Sequence, residues 1–183
     1  MKPRARLLAL FVVTPAAFAA PPADPAAAGR AVAMAFGGEL KAALQAALGE
    51  GGPLAAIDVC HDQAPAIAAR ASQTRGAEVG RTALKVRNPG NSPDAHERAR
   101  LEDFSARLAA QPGTVPESVD RLPDGRVRYM RAIVTEAVCL ACHGATLAPE
   151  VAAAIDARYP RDEARGFAPG ELRGAFTITW PAD

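Results

Sequence analysis

Only three cysteines and three histidines occur in 183 residues. No second Cys-x-x-Cys and no His-x-His is present, so a zinc site built from paired ligands lacks its material. The odd cysteine count leaves at least one thiol outside any internal disulfide. There is no nucleophile elbow, no phosphate-binding loop and no helix bearing paired metal ligands, so the chain is expected not to be an enzyme. Charge of one sign is missing as well. Against 21 basic residues stand 20 acidic ones, which gives no electrostatic reason to expect nucleic acid as a partner. No internal repeat is visible, and past the N-terminus no apolar run is long enough to cross a bilayer.

What is present begins with "MKPRARLLALFVVTPAAFAA". Lys2, Arg4 and Arg6 form a positive head, and Leu7 to Val13 form an apolar run too short to span. Ala17 and Ala19 are small residues where a signal peptidase reads. Residues 1–19 are therefore expected to be a cleaved secretory signal peptide, with no cysteine at the cleavage point to suggest a lipid anchor. The mature protein is expected in the periplasm, without stable membrane insertion after cleavage. Residues 20–28, rich in proline and alanine, read as a loose lead. Residues 29–183 are enough for one domain with its own core.

The stretch "EAVCLACHGA" (136–145) carries the chemistry. In Cys139-Leu140-Ala141-Cys142-His143 the two thiols can add across the vinyl groups of a haem. The adjacent imidazole of His143 then swings beneath the iron as proximal ligand. Cys-x-x-Cys-His is a haem c attachment signature, and export fits attachment outside the cytoplasm. A thioredoxin-like dithiol has no use for a histidine directly after its second cysteine. The expected cofactor is one covalently attached haem c.

One histidine leaves the other face of the iron open. The candidates are Cys60, His61, His96, Met34 and Met130. The methionines have core filling as their ordinary use, and His96 lies in a polar helix stretch. Cys60 and His61 sit in "GPLAAIDVCHDQAPAIAARAS" (52–72). There Leu54, Ile57, Ala64, Ile67 and Ala71 recur at helical spacing. Cys60 falls within that stripe and His61 at its edge, so helical geometry permits either. A buried Cys60 also has a plain reading as a small hydrophobe. The haem carboxylates need cations, and Lys85, Arg87, Arg126, Arg128 and Arg131 are the basic residues near the motif. Each is equally readable as a solvated strand charge. Tyr129 and Met130 suit either the ring or the core, and Glu136 and Asp58 are candidate partners behind the ligands.

The coarse pattern is α+β. A helix fits 27–48, broken by Gly49, Gly51, Gly52 and Pro53. A second helix carries Cys60. Residues 77–86 read as a strand, and Ser92-Pro93 as the cap and first residue of a third helix with Leu101, Phe104 and Leu108 on one side. "DGRVRYMRAIVTE" reads as a hairpin-edge strand entered from a Leu-Pro-Asp-Gly turn. A short helix fits 149–158. The last strand, 171–180, places Leu172, Gly174, Phe176, Ile178 and Trp180 on one face.

Four stretches together carry a resemblance: "AIDVCHDQAP" (56–65), "RTALKVRNPGNSPDAHERARLEDF" (81–104), "RYMRAIVTEAVCLACHG" (128–144) and "YPRDEARGFAPGELRGAFTITW" (159–180). They resemble a family of exported single-haem c-type proteins long described as a domain of unknown function, and the likeness runs from about residue 30 to the end. The resemblance implies a PAS-like fold, an antiparallel sheet with N-terminal and flanking helices. It also implies thioethers at Cys139 and Cys142, His143 as proximal ligand and Cys60 as the distal axial ligand. A monohaem protein of this kind is expected to transfer electrons to a redox partner protein. The alternative is a redox or gas sensor reporting to a separate signalling protein. A haem-dependent enzyme stands third, because iron ligated on both faces has no vacant position.

Overall fold

The computed structural model describes residues 20–182, so the expected signal peptide lies outside the described residues. Helix α1 spans Pro25–Asp58. Asp24 caps it by accepting the amides of Ala26 and Ala27 at 3.1 and 3.0 Å, with proline at the first helical position. The lead expected to be loose over 20–28 is therefore shorter, since its last residues are already helical. The break expected at 49–53 is present. Gly51 leaves helical geometry and Gly52 takes φ 66°, ψ −159°, a region open to glycine and strained for residues with a Cβ.

A single π-helical turn follows, Val59–Gln63, and then α2, Ala64–Arg75. The cause lies in Pro65. Its ring conflicts with the carbonyl four residues back and it offers no amide. The chain widens instead, and the Ala64 amide bonds to the Val59 carbonyl five residues earlier. Ile57, Ala64 and Ile67 of the expected stripe are buried, whereas Leu54, next to the glycine break, is exposed. Gly76, at φ 60°, ends α2.

Four strands form one antiparallel sheet in the order β1-β4-β3-β2: β1 Glu78–Thr82, β2 Glu117–Arg121, β3 Val127–Val134 and β4 Leu172–Trp180. With helices flanking it, the class is α+β. Strand β1 stops at Thr82, short of the expected Val86, where Ala83 turns its amide to the Asn91 carbonyl. The Leu122–Gly125 turn joins β2 to β3 as expected, with Gly125 at φ 85° and its amide on Leu122. The strand after that turn, expected at an edge, is instead interior. The edge is β2, five residues of which three are charged; such charge discourages strand addition and masks the strand pattern.

Helix α3, Ala95–Ala110, starts two residues later than the Ser92-Pro93 reading. Asp94 accepts the Glu97 amide at 2.8 Å and Glu97 accepts the Asp94 amide at 3.1 Å. This reciprocal box satisfies two otherwise free donors. Leu101, Phe104 and Leu108 are buried together with Met130, Ala132 and Ala175 on that face of the sheet.

On the other face α1 and α2 pack Val32, Phe36 and Ile67 against Val79, Tyr129, Ile178 and Trp180. Gly29 permits this approach, since a Cβ there would come within 2.2 Å of the Tyr129 ring. Strand β4 keeps its expected alternation from Phe176 to Trp180, but Leu172 packs with the α3 cluster instead. Ile133 pairs with Gly174 and Val134 with Leu172. Arg173 is thus an extra residue, a bulge that reverses the facing of everything before it. Helix α4, Leu140–His143, is one turn long. Helix α5, Pro149–Arg158, sits on Ile57 through Val151 and Ile155.

Candidate functional site

Strand β3 delivers the chain into a 3₁₀ turn, Ala137–Cys139, and then into α4. Cys139, Cys142 and His143 all line one cavity of about 550 Å³, a volume suited to a cofactor. Leu40, Leu44, Leu48 and Ile57 of α1 form its apolar wall, and Cys60 reaches it from the π turn. Residues 83 positions apart, Cys60 and His143 at the extremes, are brought together because α1 and α2 cover the same end of the sheet that the motif follows. All three cysteines are unpaired thiols.

His143 is held in one state. Its Nδ1 lies 2.7 Å from the Ala164 carbonyl, which can only accept, so Nδ1 carries the proton. Nε2 keeps its lone pair, the arrangement a metal-binding imidazole needs. Burial, then the Arg173 and Arg87 charges, push its pKa down to about 3, which keeps the ring neutral. Phe167 packs edge-on to the ring at 6.2 Å. Its amide bonds to the His143 carbonyl at 3.0 Å, and the Gly166 amide bonds to Gly144 at 3.1 Å.

Arg87 organises this corner. Its guanidinium donates to Asp162 at 3.0 and 3.2 Å, to the Cys142 carbonyl at 2.6 Å and to the Ala164 carbonyl at 3.2 Å. The carbonyl that orients His143 is thus fixed from behind. Burial works against the Asp162 charge, but Arg87 and Arg165 outweigh it and hold its carboxyl below the usual range. The Cys142 thiol is pushed up, chiefly by burial.

The other candidates separate clearly. His61 does not line the cavity; 45% of its side chain is exposed, beside Asp62 at 2.5 Å and the Tyr159 ring at 5.4 Å. His96 lies near Asp120, and Met130 is fully buried in the α3 cluster. Met34 borders the cavity but is 60% exposed. Tyr129 and Met130 are core residues, as their plainer reading had it. Glu136 borders the cavity and binds Lys41 at 2.8 Å, while Asp58 pairs with Arg158.

The cations expected to meet haem carboxylates are already committed. Arg126 binds Asp124; Arg128 binds Asp94 and Thr179; Arg131 pairs with Glu117; Arg87 binds Asp162; Lys85 reaches the Arg165 carbonyl. Two arginines that the sequence reading passed over face the cavity instead. Arg81 stands across β4 from Arg131, with Phe176 between them. Among the described residues it has no hydrogen-bonding or carboxylate partner. Arg173, the bulge residue, donates to the Lys85 carbonyl at 3.3 Å and lies over Phe167 at 5.3 Å. Burial lowers the pKa of both. That of Arg173 falls to about 10, helped by repulsion from Arg87 and Arg81, while that of Arg81 is partly sustained by the sulfur of Cys60. The available signal was parity: Arg81 shares the inward face of β1 with Val79.

The residues fit the haem expected from the motif. Two thiols, a lone-pair nitrogen, a third thiol, apolar walls and two unneutralised cations surround one space. No group of three or more His, Cys, Asp or Glu among the described residues is gathered to hold a bare metal ion. A family model, Tll0287-like, matches residues 13–181. The chain belongs to the Tll0287-like family. It is similar to a cyanobacterial heme-protein, Tll0287, whose crystal structure superposes with a TM-score of 0.64 at 28% identity, covering 87% of this chain and 97% of that one. No curated protein matches the chain.

Proposed function

We propose that this chain is an exported, periplasmic protein carrying one haem c and passing electrons to a redox partner protein. The observation that carries the reading is convergence: Cys139, Cys142, His143 and Cys60 open onto a single apolar cavity. Similarity to a heme-protein supports it. Cys139 and Cys142 would hold the cofactor by thioethers, with His143 and Cys60 on opposite faces of the iron, on a PAS-like frame. When bound, haem supplies a one-electron iron couple.

The chain's residues do the rest. Ala164 holds the His143 proton on Nδ1, and Arg87 holds Ala164. Leu40, Leu44 and Leu48 exclude water from one wall. Cys60, if it held the iron as thiolate, would donate electron density and favour the ferric state. If His143 and Cys60 both held the iron, no place on it would remain for a substrate, so the proposal includes no catalysed reaction.

A redox or gas sensor acting on a separate signalling protein is the second reading. The π turn favours it, because Cys60 sits where the helix has already departed from regular geometry. Such turns recur at functional sites.

The test is absorption spectroscopy of both oxidation states after expression with and without a cytochrome c assembly system. Coloured protein whose haem resists acidic organic extraction is expected only with the assembly system; colourless protein overturns the reading. Cys60→Ala is expected to alter the ferric spectrum and raise the reduction potential, with His61→Ala silent. The reverse pattern reassigns the ligand. Carbon monoxide binding to the reduced protein separates the two roles: inertness supports a carrier, and binding with helix rearrangement supports a sensor.

A further inference from the structure

The cavity has a charge imbalance that its own side chains do not resolve. Five cationic residues border it: Lys41, Arg81, Arg87, Arg131 and Arg173. Lys41 is paired with Glu136, Arg87 with Asp162, which Arg165 shares, and Arg131 with Glu117, which Arg30 shares. Arg81 and Arg173 have no carboxylate within ion-pair distance among the described residues. Arg81 and Arg173 are half-buried, so leaving each guanidinium without a carboxylate carries a desolvation cost, and two close enough to repel one another add to it. Both are nonetheless placed with care. Arg81 is set inward by strand parity, opposite Phe176. Arg173 is set inward by a β-bulge, a device that re-aims one side chain. The Lys85 carbonyl and the Phe167 face then keep the Arg173 guanidinium in position.

We propose that Arg81 and Arg173 are the haem carboxylate clamp, each receiving one of the two propionates as a forked, charge-assisted pair. The inference rests on the haem reading above. Two cations match two carboxylates in number, and the planar guanidinium fork matches a carboxylate in shape. The Cys60 sulfur also lies near Arg81, but a sulfur ligating the iron would have its charge balanced there. Arg81 is then left to the propionate. A further consequence concerns the potential. Cations fixed beside the iron favour the reduced state, which carries one positive charge fewer.

The experiment compares holoproteins: wild type, Arg81→Gln, Arg173→Gln, the two lysine variants, and Arg126→Gln as an exposed control. The readouts are the propionate-bending bands in resonance Raman spectra and the reduction potential. Each glutamine variant is expected to shift a propionate band and to lower the potential, by ~59 mV for each tenfold change in the one-electron equilibrium. The control is expected to move neither. Lysine is expected to retain the potential, because the charge stays, while shifting the band, because the fork is lost. Should a glutamine variant fail to mature, its lysine counterpart carries the test through that band. Unmoved propionate bands in both arginine positions overturn the clamp. So does an Arg81 variant that shifts only the iron–sulfur band, which assigns Arg81 to Cys60. Colourless wild-type protein fails the haem reading itself, a different result from coloured protein with unresponsive arginines.

Discussion

The two faces of the sheet meet different fates. On the α3 side, Leu101, Phe104, Met130, Ala132 and Ala175 close over one another, and the space beside them, near the helix N-terminus, is bordered by Asp94, Glu97, Arg128 and threonines. On the α1 side, the half built on Tyr129, Ile178 and Trp180 is equally closed. Past Phe176, however, the same strands present Arg81, Arg131 and Gly174 to a cavity of about 550 Å³. The strands are the same and only the row changes. Apolar side chains fill space by themselves, whereas inward arginines and a glycine leave space and charge for something that is not an amino acid. The contrast shows which part of the molecule folds on its own account and which part is built around a guest.

Mutations can break that contrast. The largest expected effect is at Arg87. Arg87→Ala leaves Asp162, 2% exposed, with Arg165 as its one remaining cation and takes the guanidinium donor from the Cys142 and Ala164 carbonyls, a combined change that costs about 3–5 kcal/mol. It also frees the Ala164 carbonyl, so both the unfolding midpoint in denaturant and the visible spectrum should change. Phe104→Ala on the closed face should cost on the order of 3–5 kcal/mol through the void it leaves. It should leave the spectrum and the potential of the holoprotein alone. If it altered them as much as Arg87→Ala does, the two faces would not be independent.

The smallest effect sharpens the closed side. Asp94→Ala removes the α3 cap and should cost about 1 kcal/mol. Burial opposes the Asp94 charge, but the Glu97 amide and Arg128 outweigh it and hold its carboxyl below the usual range. A depressed carboxyl contributes stability above its unfolded pKa, near 4, and loses that contribution as pH falls through the folded value. Asp94 is 52% exposed, so the acid-limb loss should be slight, and it should vanish in the alanine variant.

Much of this was legible in the sequence where local rules act alone. The break at Gly51-Gly52 and helix Pro149–Arg158 follow from residues within a few positions. So does the α3 stripe of Leu101, Phe104 and Leu108. Ser92-Pro93 misled because a better cap, Asp94 with Glu97, lay two residues on. The β2 strand was missed because an edge strand needs no apolar face and is better off charged. Leu172 was placed on the wrong face because a bulge is a relation between two strands, and no single strand records it. The sequence reading of carboxylate partners rests on Lys85, Arg87, Arg126, Arg128 and Arg131, basic residues whose own partners no local pattern reveals. The four arginines among them have carboxylate partners 2 to 75 positions away.

The sequence by itself determined the chemistry on offer: a Cys-x-x-Cys-His stretch, a third thiol and a broken helical frame, all written in adjacent residues. Tertiary structure alone decided which groups are free to act. It turned Cys60 into the cavity and His61 away, fixed the His143 proton through Ala164, and left Arg81 and Arg173 without a carboxylate among the described residues while pairing Lys41, Arg87 and Arg131. The reason is physical. Residue type sets what a group can bind, but charge, protonation and freedom depend on what lies within a few ångströms, and those neighbours come from distant parts of the chain.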